Sequence, residues 1–318
     1  MWRPLLDRLR GRRPSAAMTP DPPSAERPRL SPQLLSQVRR IEIASRRRVQ
    51  QGMAGDWHSA FRGRGVEFAE VRPYQPGDDV RSLDWNVSAR MGQAYIKQYV
   101  EERDLTIFLA VDLSGSLAYG SGAVAKRELA AECAALLALA ALRHQDRVGA
   151  ALLSTGVDLF LPPRRHRHAV LRTVLEILAR PARGGTDLEG GLQALMPRLR
   201  HRGVLFVLSD FLAPPPARAL KMLSLRHDVV LVELVDPHDL QLPAAGPTVL
   251  MDAETGQRAL VSGRKIQAAH ARRVAEERRR LRALATELRL DLLSLRTDAP
   301  WIPELMALLQ RRRQRRAS

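Results

Sequence analysis

The chain has little of several residue types that whole classes of protein require. Its 318 residues include a single cysteine, Cys133, and only 4% aromatic residues. One cysteine excludes an internal disulfide and a cysteine-based zinc knuckle, so we interpret Cys133 as a small buried apolar residue. The few aromatic side chains argue against a base-stacking surface for nucleic acid. No apolar run approaches the roughly 18 residues of a membrane span and no signal-peptide core follows Met1, which predicts a cytoplasmic protein.

The sequence also lacks the short motifs of common enzyme classes. It contains no G-x-x-x-x-G-K-S/T phosphate loop, no G-x-S-x-G nucleophile elbow and no H-E-x-x-H zinc motif. His166 and His168 lie among arginines, where solvated positive charge is the simpler interpretation. A magnesium-dependent phosphatase would place a second acid two residues after Asp112, where this chain has Ser114. We therefore predict a protein that is not an enzyme, and a phosphatase-like activity stays as an alternative.

Basic residues, by contrast, are abundant. Lys and Arg number 51 against 34 Asp and Glu, and four of the 51 are Lys. The excess lies at the flanks: residues 1–50 carry twelve Arg against four acids, 264–282 eight basic residues against two acids, and 311–318 five Arg. Such flanks attract phosphates, anionic lipid headgroups or acidic proteins without distinguishing them. We expect no specific nucleic-acid binding. A basic surface protein that binds nucleic acid or anionic membrane through these arms is the second hypothesis.

The hydrophobic pattern divides the chain into four parts. They are a disordered basic arm (1–31), an N-terminal helix with a small β element (32–104), the main domain (105–310) and a basic tail (311–318). Within the second part, helical spacing runs over 32–51, and strand-like alternation runs over 66–72 and 94–100. A small β-rich element is therefore predicted ahead of the main domain.

The main domain alternates apolar strands with helices, which is typical of an α/β fold with a mostly parallel sheet flanked by helices. Strands are predicted over 105–111, 146–153, 157–161, 203–208, 228–235 and 290–294. Helices are predicted over about 123–143, 166–179, 188–200, 215–225, 264–288 and 303–310. Because Ser154-Thr155-Gly156 joins two strands as a turn, those two strands are expected to pair as a hairpin, so the sheet is predicted to be mixed.

Three polar clusters follow one another along this pattern, each at the carboxyl edge of the predicted sheet, where ligands collect in open α/β folds. They contain Asp112, Ser114 and Ser116 after the first strand, Thr186 behind two glycines, and Asp210 after a later strand. Each cluster alone is also an ordinary turn, and Thr186 is also a candidate helix N-cap. Together their hydroxyls and carboxylates form an oxygen shell that suits Mg²⁺ and not Zn²⁺, with one position open to a partner's carboxylate.

These five residues resemble the metal-ion-dependent adhesion site of von Willebrand factor A domains. The pattern of that site is Asp-x-Ser-x-Ser, then a Thr, then an Asp after a later strand, and all five positions are matched. The resemblance implies a von Willebrand factor A-like, Rossmann-like fold. It also implies that both Ser hydroxyls bind Mg²⁺ or Mn²⁺ directly, that the Thr and the Asp residues bind directly or through water, and that an acidic residue of a partner completes the shell.

A second resemblance lies upstream, in the segment 63–90, which includes the sequences VRPYQPGDD and LDWN. This segment is similar to the signature of the bacterial family catalogued as domain of unknown function 58, and QDRVG at 145–149 and Asp236-Pro237 extend the likeness, which covers roughly residues 35–310. The resemblance implies a non-enzymatic adaptor that works with a MoxR-type AAA+ ATPase in chaperone-like maturation or assembly of client proteins. Members often carry two N-terminal membrane helices, which this chain lacks, although residues 1–10 could lie on an anionic membrane surface.

Acidic and basic residues alternate within this upstream segment. Asp78, for example, lies between Arg72 and Arg81. Either an ion-pair network fastens the β element to the sheet, which we favour, or the segment is a partner-contact face. In the first case Pro76-Gly77 makes a turn, and Trp85 is expected to anchor in a core.

Overall fold

The computed structural model describes residues 31–50, 57, 60–61, 66–101, 105–180, 187–242, 248–251, 258–261 and 264–317. Within these ranges the strands are β1 (Val66–Pro73), β2 (Tyr95–Glu101), β3 (Thr106–Asp112), β4 (Arg147–Leu153), β5 (Val157–Arg164), β6 (Val204–Ser209), β7 (Asp228–Val235), β8 (Thr248–Met251), β9 (Arg258–Val261) and β10 (Asp291–Arg296). The helices are α1 (Pro32–Arg48), α2 (Trp85–Met91), α3 (Lys126–Arg143), α4 (Arg167–Ala179), α5 (Leu188–Leu195), α6 (Ala217–Ser224), α7 (Pro237–Leu240), α8 (Arg264–Glu287) and α9 (Ile302–Ala317).

A six-stranded sheet in the order β10-β7-β6-β3-β4-β5 forms the centre of the main domain. All neighbouring strands in it are parallel except β5, which pairs antiparallel with β4 across the turn at 154–156. The predicted α/β fold with a mostly parallel, mixed sheet is therefore confirmed, as are the six predicted strands and their hairpin. Helix α5 is shorter than predicted and ends at Leu195, because a proline at position 197 cannot continue the hydrogen-bond ladder.

The central strands are apolar along their whole length because helices cover both faces of the sheet. In β3 the side chains alternate between two cores: Leu109 packs on the side of α1, α3, α4 and α9, and Phe108 on the side of α5, α6 and α8. A strand buried on both faces reads as a continuous apolar run, as β3 does. Cys133 is fully buried in α3, as predicted, and burial raises the pKa of its thiol.

Strands β1 and β2 form the predicted antiparallel element ahead of the main sheet. Arg72 binds both carboxylate oxygens of Asp78 at 2.8 Å, and Asp78 also accepts a hydrogen bond from the Gln75 backbone at 2.8 Å. This pair closes the Pro76-Gly77 turn and holds the pKa of Asp78 below its ordinary value. The expectation for Trp85 is wrong: its side chain is 74% exposed, because it is the first residue of α2, a short helix with no buried residues.

The C-terminal helix is longer than the sequence predicts, since α9 continues past Gln310 to Ala317. Arg312 is 7% exposed, and its guanidinium binds Asp228 at 2.8 and 2.6 Å and Asp291 at 2.5 Å. It also lies 4.7 Å above the ring of Phe61. Part of the basic run is therefore an internal cation that joins the amino ends of β7 and β10, which the count of charges does not reveal.

Among the described residues, we find no helix that combines the length and apolar character needed to span a bilayer.

We expect Arg312→Ala to lower the free energy of unfolding by on the order of 3 kcal/mol, because it leaves the carboxylates at the amino ends of β7 and β10 without their buried partner. Urea unfolding followed by circular dichroism measures this change. The matched control is Arg311→Ala, at an exposed position of the same helix, which should change stability by less than about 0.5 kcal/mol. Equal losses in both variants would contradict an anchoring role for Arg312.

Candidate metal centre

The candidate site lies where the carboxyl ends of β3 and β6 meet. From β3 the chain continues to β4 on one side, whereas β6 pairs with β3 on the other. The strand order therefore reverses between β3 and β6, and the carboxyl edge at such a switch point is where ligands bind in open α/β folds. Asp112 ends β3 and Asp210 directly follows β6, so the fold brings these two predicted residues to the same point.

Asp112 is 1% exposed, and both of its carboxylate oxygens accept hydrogen bonds. Oδ1 accepts from the Ser114 backbone N–H at 2.8 Å, and Oδ2 accepts from the Ser209 hydroxyl at 2.7 Å. Burial raises the pKa of Asp112 to about 6, with the negative charge of Asp210 adding to the rise and the hydrogen bonds opposing it. Asp112 is therefore a buried carboxylate that is short of positive charge.

The two predicted serines lie beside this carboxylate. A 3-10 turn over Gly115–Ala118 follows Ser114, and it brings the hydroxyls of Ser114 and Ser116 to 3.0 Å from each other. Ser114 is fully buried and Ser116 is half-buried. The sharp turn after β3 thus places two hydroxyl oxygens near Asp112 at the carboxyl edge of the sheet.

Asp210 is 6% exposed, and one of its carboxylate oxygens forms an ion pair with a lysine. The ammonium of Lys126, itself fully buried, lies 2.7 Å from Asp210 Oδ2 and 2.8 Å from Asp239 Oδ2. Burial alone would lower the pKa of Lys126, but the two carboxylates outweigh it and raise that pKa. Phe211 adopts a left-handed conformation (φ 49°) and its N–H donates to the Ser209 hydroxyl at 3.1 Å, which fixes the turn that presents Asp210.

A further layer of hydrogen bonds fixes the loop between β3 and α3. Asp236, which is fully buried at the end of β7, accepts from the Ser121 N–H at 2.9 Å and from the Thr297 hydroxyl at 3.0 Å. Burial acts to raise the pKa of Asp236, but these hydrogen bonds and one from the His238 N–H outweigh it and lower the pKa. In addition, the Tyr119 hydroxyl lies 2.8 Å from His238 Nδ1. The loop is thus tied to the ends of β7 and β10.

The fifth predicted ligand, Thr186, lies outside the described residues. The next residue, Asp187, caps α5 by accepting a hydrogen bond from Gly190 N–H at 2.8 Å, so the alternative that Thr186 is the N-cap is wrong. The N–H of Asp187 donates to the carbonyl of Ser154 at 3.0 Å, directly after the end of β4.

Three residues that complete the cluster were not among the predicted ligands: Lys126, Ser209 and Asp239. A signal for Lys126 existed, since it is one of four lysines in a chain whose other basic residues are arginines, and it precedes an apolar helix. Ser209 and Asp239 gave no comparable signal, because serine and aspartate are ordinary residues at strand ends and in turns.

The described residues fit a divalent cation in the chemistry of their donors. Asp112, Ser114, Ser116 and Asp210 offer only oxygen atoms, which are the ligands of Mg²⁺. When ionised, the carboxylates of Asp112, Asp210 and Asp239 carry three negative charges against one positive charge on Lys126, an excess of two. Among the described residues, no group of three or more His, Cys, Asp or Glu side chains could hold a metal by itself.

Comparison with known proteins relates the chain to one family and to several bacterial proteins. The model of the family described as "Protein of unknown function DUF58" matches residues 70–280. An uncharacterized protein of Mycobacterium tuberculosis is 34% identical over 289 residues, which cover 89% of this chain and 91% of that protein. The uncharacterized protein YeaD of Bacillus subtilis is 43% identical over 51 residues, or 16% of this chain and 13% of that protein.

Two solved structures are similar in outline. The conserved hypothetical protein BatB from Bacteroides thetaiotaomicron has 15% identity and a TM-score of 0.41, covering 67% of this chain and 98% of that chain. An aerotolerance-related membrane protein from Bacteroides fragilis has 14% identity and a TM-score of 0.39, covering 66% of this chain and 99% of that chain.

In metal-free buffer, we expect Asp112→Asn to stabilise the fold at pH 7.5 by on the order of 2 kcal/mol. The substitution removes the charge of a buried carboxyl group whose pKa is raised to about 6. The folded state binds this proton more tightly than the unfolded state, so the parent protein loses stability as pH rises from about 4 to above 6. The advantage of the variant should therefore vanish below about pH 4.

Urea unfolding in EDTA across this pH range measures the difference in stability. Asp79→Asn, at an exposed carboxylate, is the matched control and should show no comparable gain. If Asp112→Asn and the parent have the same free energy of unfolding at every pH, burial of the Asp112 carboxylate does not lower stability.

Proposed function

The chain belongs to the DUF58 family, and we propose that it is a non-enzymatic adaptor whose von Willebrand factor A-like domain binds proteins through Mg²⁺ or Mn²⁺. The observation that carries this proposal is the meeting of Asp112, Ser114 and Ser116 with Asp210 at the switch point of the sheet. Hydroxyl and carboxylate oxygens at such a point suit recognition of a hard cation.

In this proposal the residues divide the work at the centre. Ser114 and Ser116 contribute hydroxyl oxygens, and Asp112 and Asp210 contribute negative charge, with Thr186 as a fifth member. The ion supplies a concentrated positive charge, and an acidic residue of a partner completes its coordination shell. Ser209 holds Asp112 in orientation through its 2.7 Å hydrogen bond, so the carboxylate does not need to reorganise when the ion binds.

The partners proposed are a MoxR-type AAA+ ATPase and a client protein that contributes the acidic residue. The resemblance of the 63–90 segment to its family's signature supports this choice, and the adaptor would serve chaperone-like maturation or assembly. We propose a cytoplasmic site of action, which leaves room for peripheral contact with the inner face of the membrane through the basic arm. An adaptor needs no catalytic group of its own, and ATP hydrolysis would belong to the partner.

We expect the parent protein to bind one equivalent of Mg²⁺ or Mn²⁺ in isothermal titration calorimetry. Asp112→Ala should bind the ion more than about tenfold more weakly, which is a loss of about 1.4 kcal/mol or more. Ser114→Ala combined with Ser116→Ala should weaken binding as well without changing the charge. Ser36→Ala, an exposed serine on α1, is the control and should bind as the parent does. Saturable binding that survives Asp112→Ala would place the ion elsewhere.

The same variants test the adaptor role. A MoxR-type ATPase encoded beside this chain, purified separately, should bind the parent in Mg²⁺ and be released by EDTA, and it should not bind Asp112→Ala. Removal of residues 1–31 should leave this interaction intact. If binding instead requires residues 1–31 and is unchanged by EDTA, the basic-arm hypothesis replaces the adaptor hypothesis.

A further inference from the structure

Lys126 is a fully buried lysine at the edge of the candidate metal centre. Lysine is almost never fully buried unless its charge is paired, because transfer of an ammonium group from water into the protein interior is costly. Here the pairing is complete: the side chains of Asp210 and Asp239 lie within 2.8 Å of the same nitrogen, and they are 4% and 12% exposed.

The position of Lys126 in its helix is a second factor that disfavours a lysine there. It is the first residue of α3, where the positive end of the helix dipole disfavours a cation. Most of the rest of α3 is buried and apolar. Burial and the helix dipole therefore both act against a lysine at this position, and the two carboxylates are what hold its ammonium group there.

We propose that Lys126 is a built-in cation of the metal centre that neutralises Asp210 when the ion is absent and competes with the ion for that carboxylate. This inference rests on the proposed function, since it concerns the same site. Both cations require the carboxylate of Asp210: one of its oxygens pairs with Lys126 Nζ at 2.7 Å, and the other accepts a long hydrogen bond of 3.4 Å from the Leu212 N–H. An ion that enters the centre therefore meets a carboxylate whose charge is already shared.

Asp239 is the residue that lets Lys126 release Asp210 without becoming an unpaired charge. It is held in place independently, because its Oδ2 also accepts from the Asp236 N–H at 3.1 Å and its carbonyl oxygen lies 2.9 Å from His270 Nε2. The ammonium group has three donors, so it can stay on Asp239 while Asp210 turns toward the ion. Without Asp239, the lysine would bind Asp210 alone and hold it more firmly.

Two consequences separate this arrangement from a simple structural ion pair. Asp210 and Asp239 are expected to keep their positions without metal, because Lys126 already pairs with both carboxylates. The affinity for the ion is expected to be moderate, because the ion must overcome both repulsion by the ammonium and its hold on Asp210. A partner's carboxylate that joins the ion would then shift the balance further toward the metal-bound arrangement, which makes metal binding and partner binding cooperative.

Lys126→Met tests the proposal, with Lys221→Met, at an exposed position of α6, as the matched control. The Met side chain keeps a similar length and removes the charge. In EDTA we expect Lys126→Met to melt several degrees below the parent, because two buried carboxylates lose their partner. In Mg²⁺ we expect it to recover most of this loss and to bind the ion about tenfold more tightly than the parent, since the competing charge is gone. Lys221→Met should match the parent in both measurements.

Asp239→Asn gives the opposite test. It preserves shape and hydrogen bonding but leaves Lys126 with one carboxylate, so Mg²⁺ should bind about tenfold more weakly than in the parent. If Lys126→Met folds only in the presence of Mg²⁺, that result also supports the proposal. If Mg²⁺ does not restore its fold, or if neither variant changes Mg²⁺ affinity, the proposal is overturned.

These outcomes distinguish the two proposals. Loss of Mg²⁺ binding in Asp112→Ala with unchanged affinity in Lys126→Met and Asp239→Asn would retain the metal centre and overturn the role of Lys126. Binding of Mg²⁺ by Lys126→Met but not by the parent would mean that the lysine replaces the ion, which overturns the metal-dependent adaptor and supports the competition. Absence of binding in both proteins would overturn both.

Discussion

Negative charge buried at the carboxyl edge of the sheet is the constraint on which this site depends. Carboxylates removed from water must be protonated, hydrogen-bonded or paired with a cation. The chain uses hydrogen bonding and pairing with a cation within one region. Asp236 is satisfied by three hydrogen bonds, Asp210 and Asp239 by Lys126, and Asp112 by two hydrogen bonds that leave its pKa raised to about 6. Asp112 is thus the member of this group that gains most from an added cation.

Arginine pairs with buried carboxylates elsewhere on the sheet. Arg312 joins the first residues of β7 and β10, and Arg278 on α8 binds both oxygens of Glu233, a residue of β7 that is 2% exposed. Each arginine can bind a carboxylate with two parallel hydrogen bonds, which suits it to buried pairs. Some of the positive charge in the basic flanks is therefore internal, and the net charge of +17 overstates what the surface offers to an anionic partner.

The two basic residue types serve different carboxylates in this fold. Arginine pairs with Asp228 and Asp291 at the amino ends of β7 and β10 and with Glu233 inside β7. Lysine, which the chain rarely uses, pairs with Asp210 and Asp239 beyond the carboxyl ends of β6 and β7. A compact ammonium can be shared between two carboxylates and can move from one to the other, but a planar guanidinium is suited to a fixed paired geometry. Under the proposed function, such a movable ammonium at Asp210 would let the site alternate between an internal and an external positive charge.

The sequence by itself determined the fold class, because the alternation of apolar strands and helices has a period that local chemistry imposes. It also placed Asp112, Ser114, Ser116 and Asp210 at one edge of the sheet, since polar residues directly after buried strands must lie at the carboxyl edge of a parallel sheet. Only the tertiary structure decided that Lys126 pairs with Asp210 and Asp239, that Arg312 belongs to the fold, and that Trp85 is exposed. These outcomes depend on contacts between residues 84 and 113 positions apart, or on which face a short helix presents, and no local pattern encodes them.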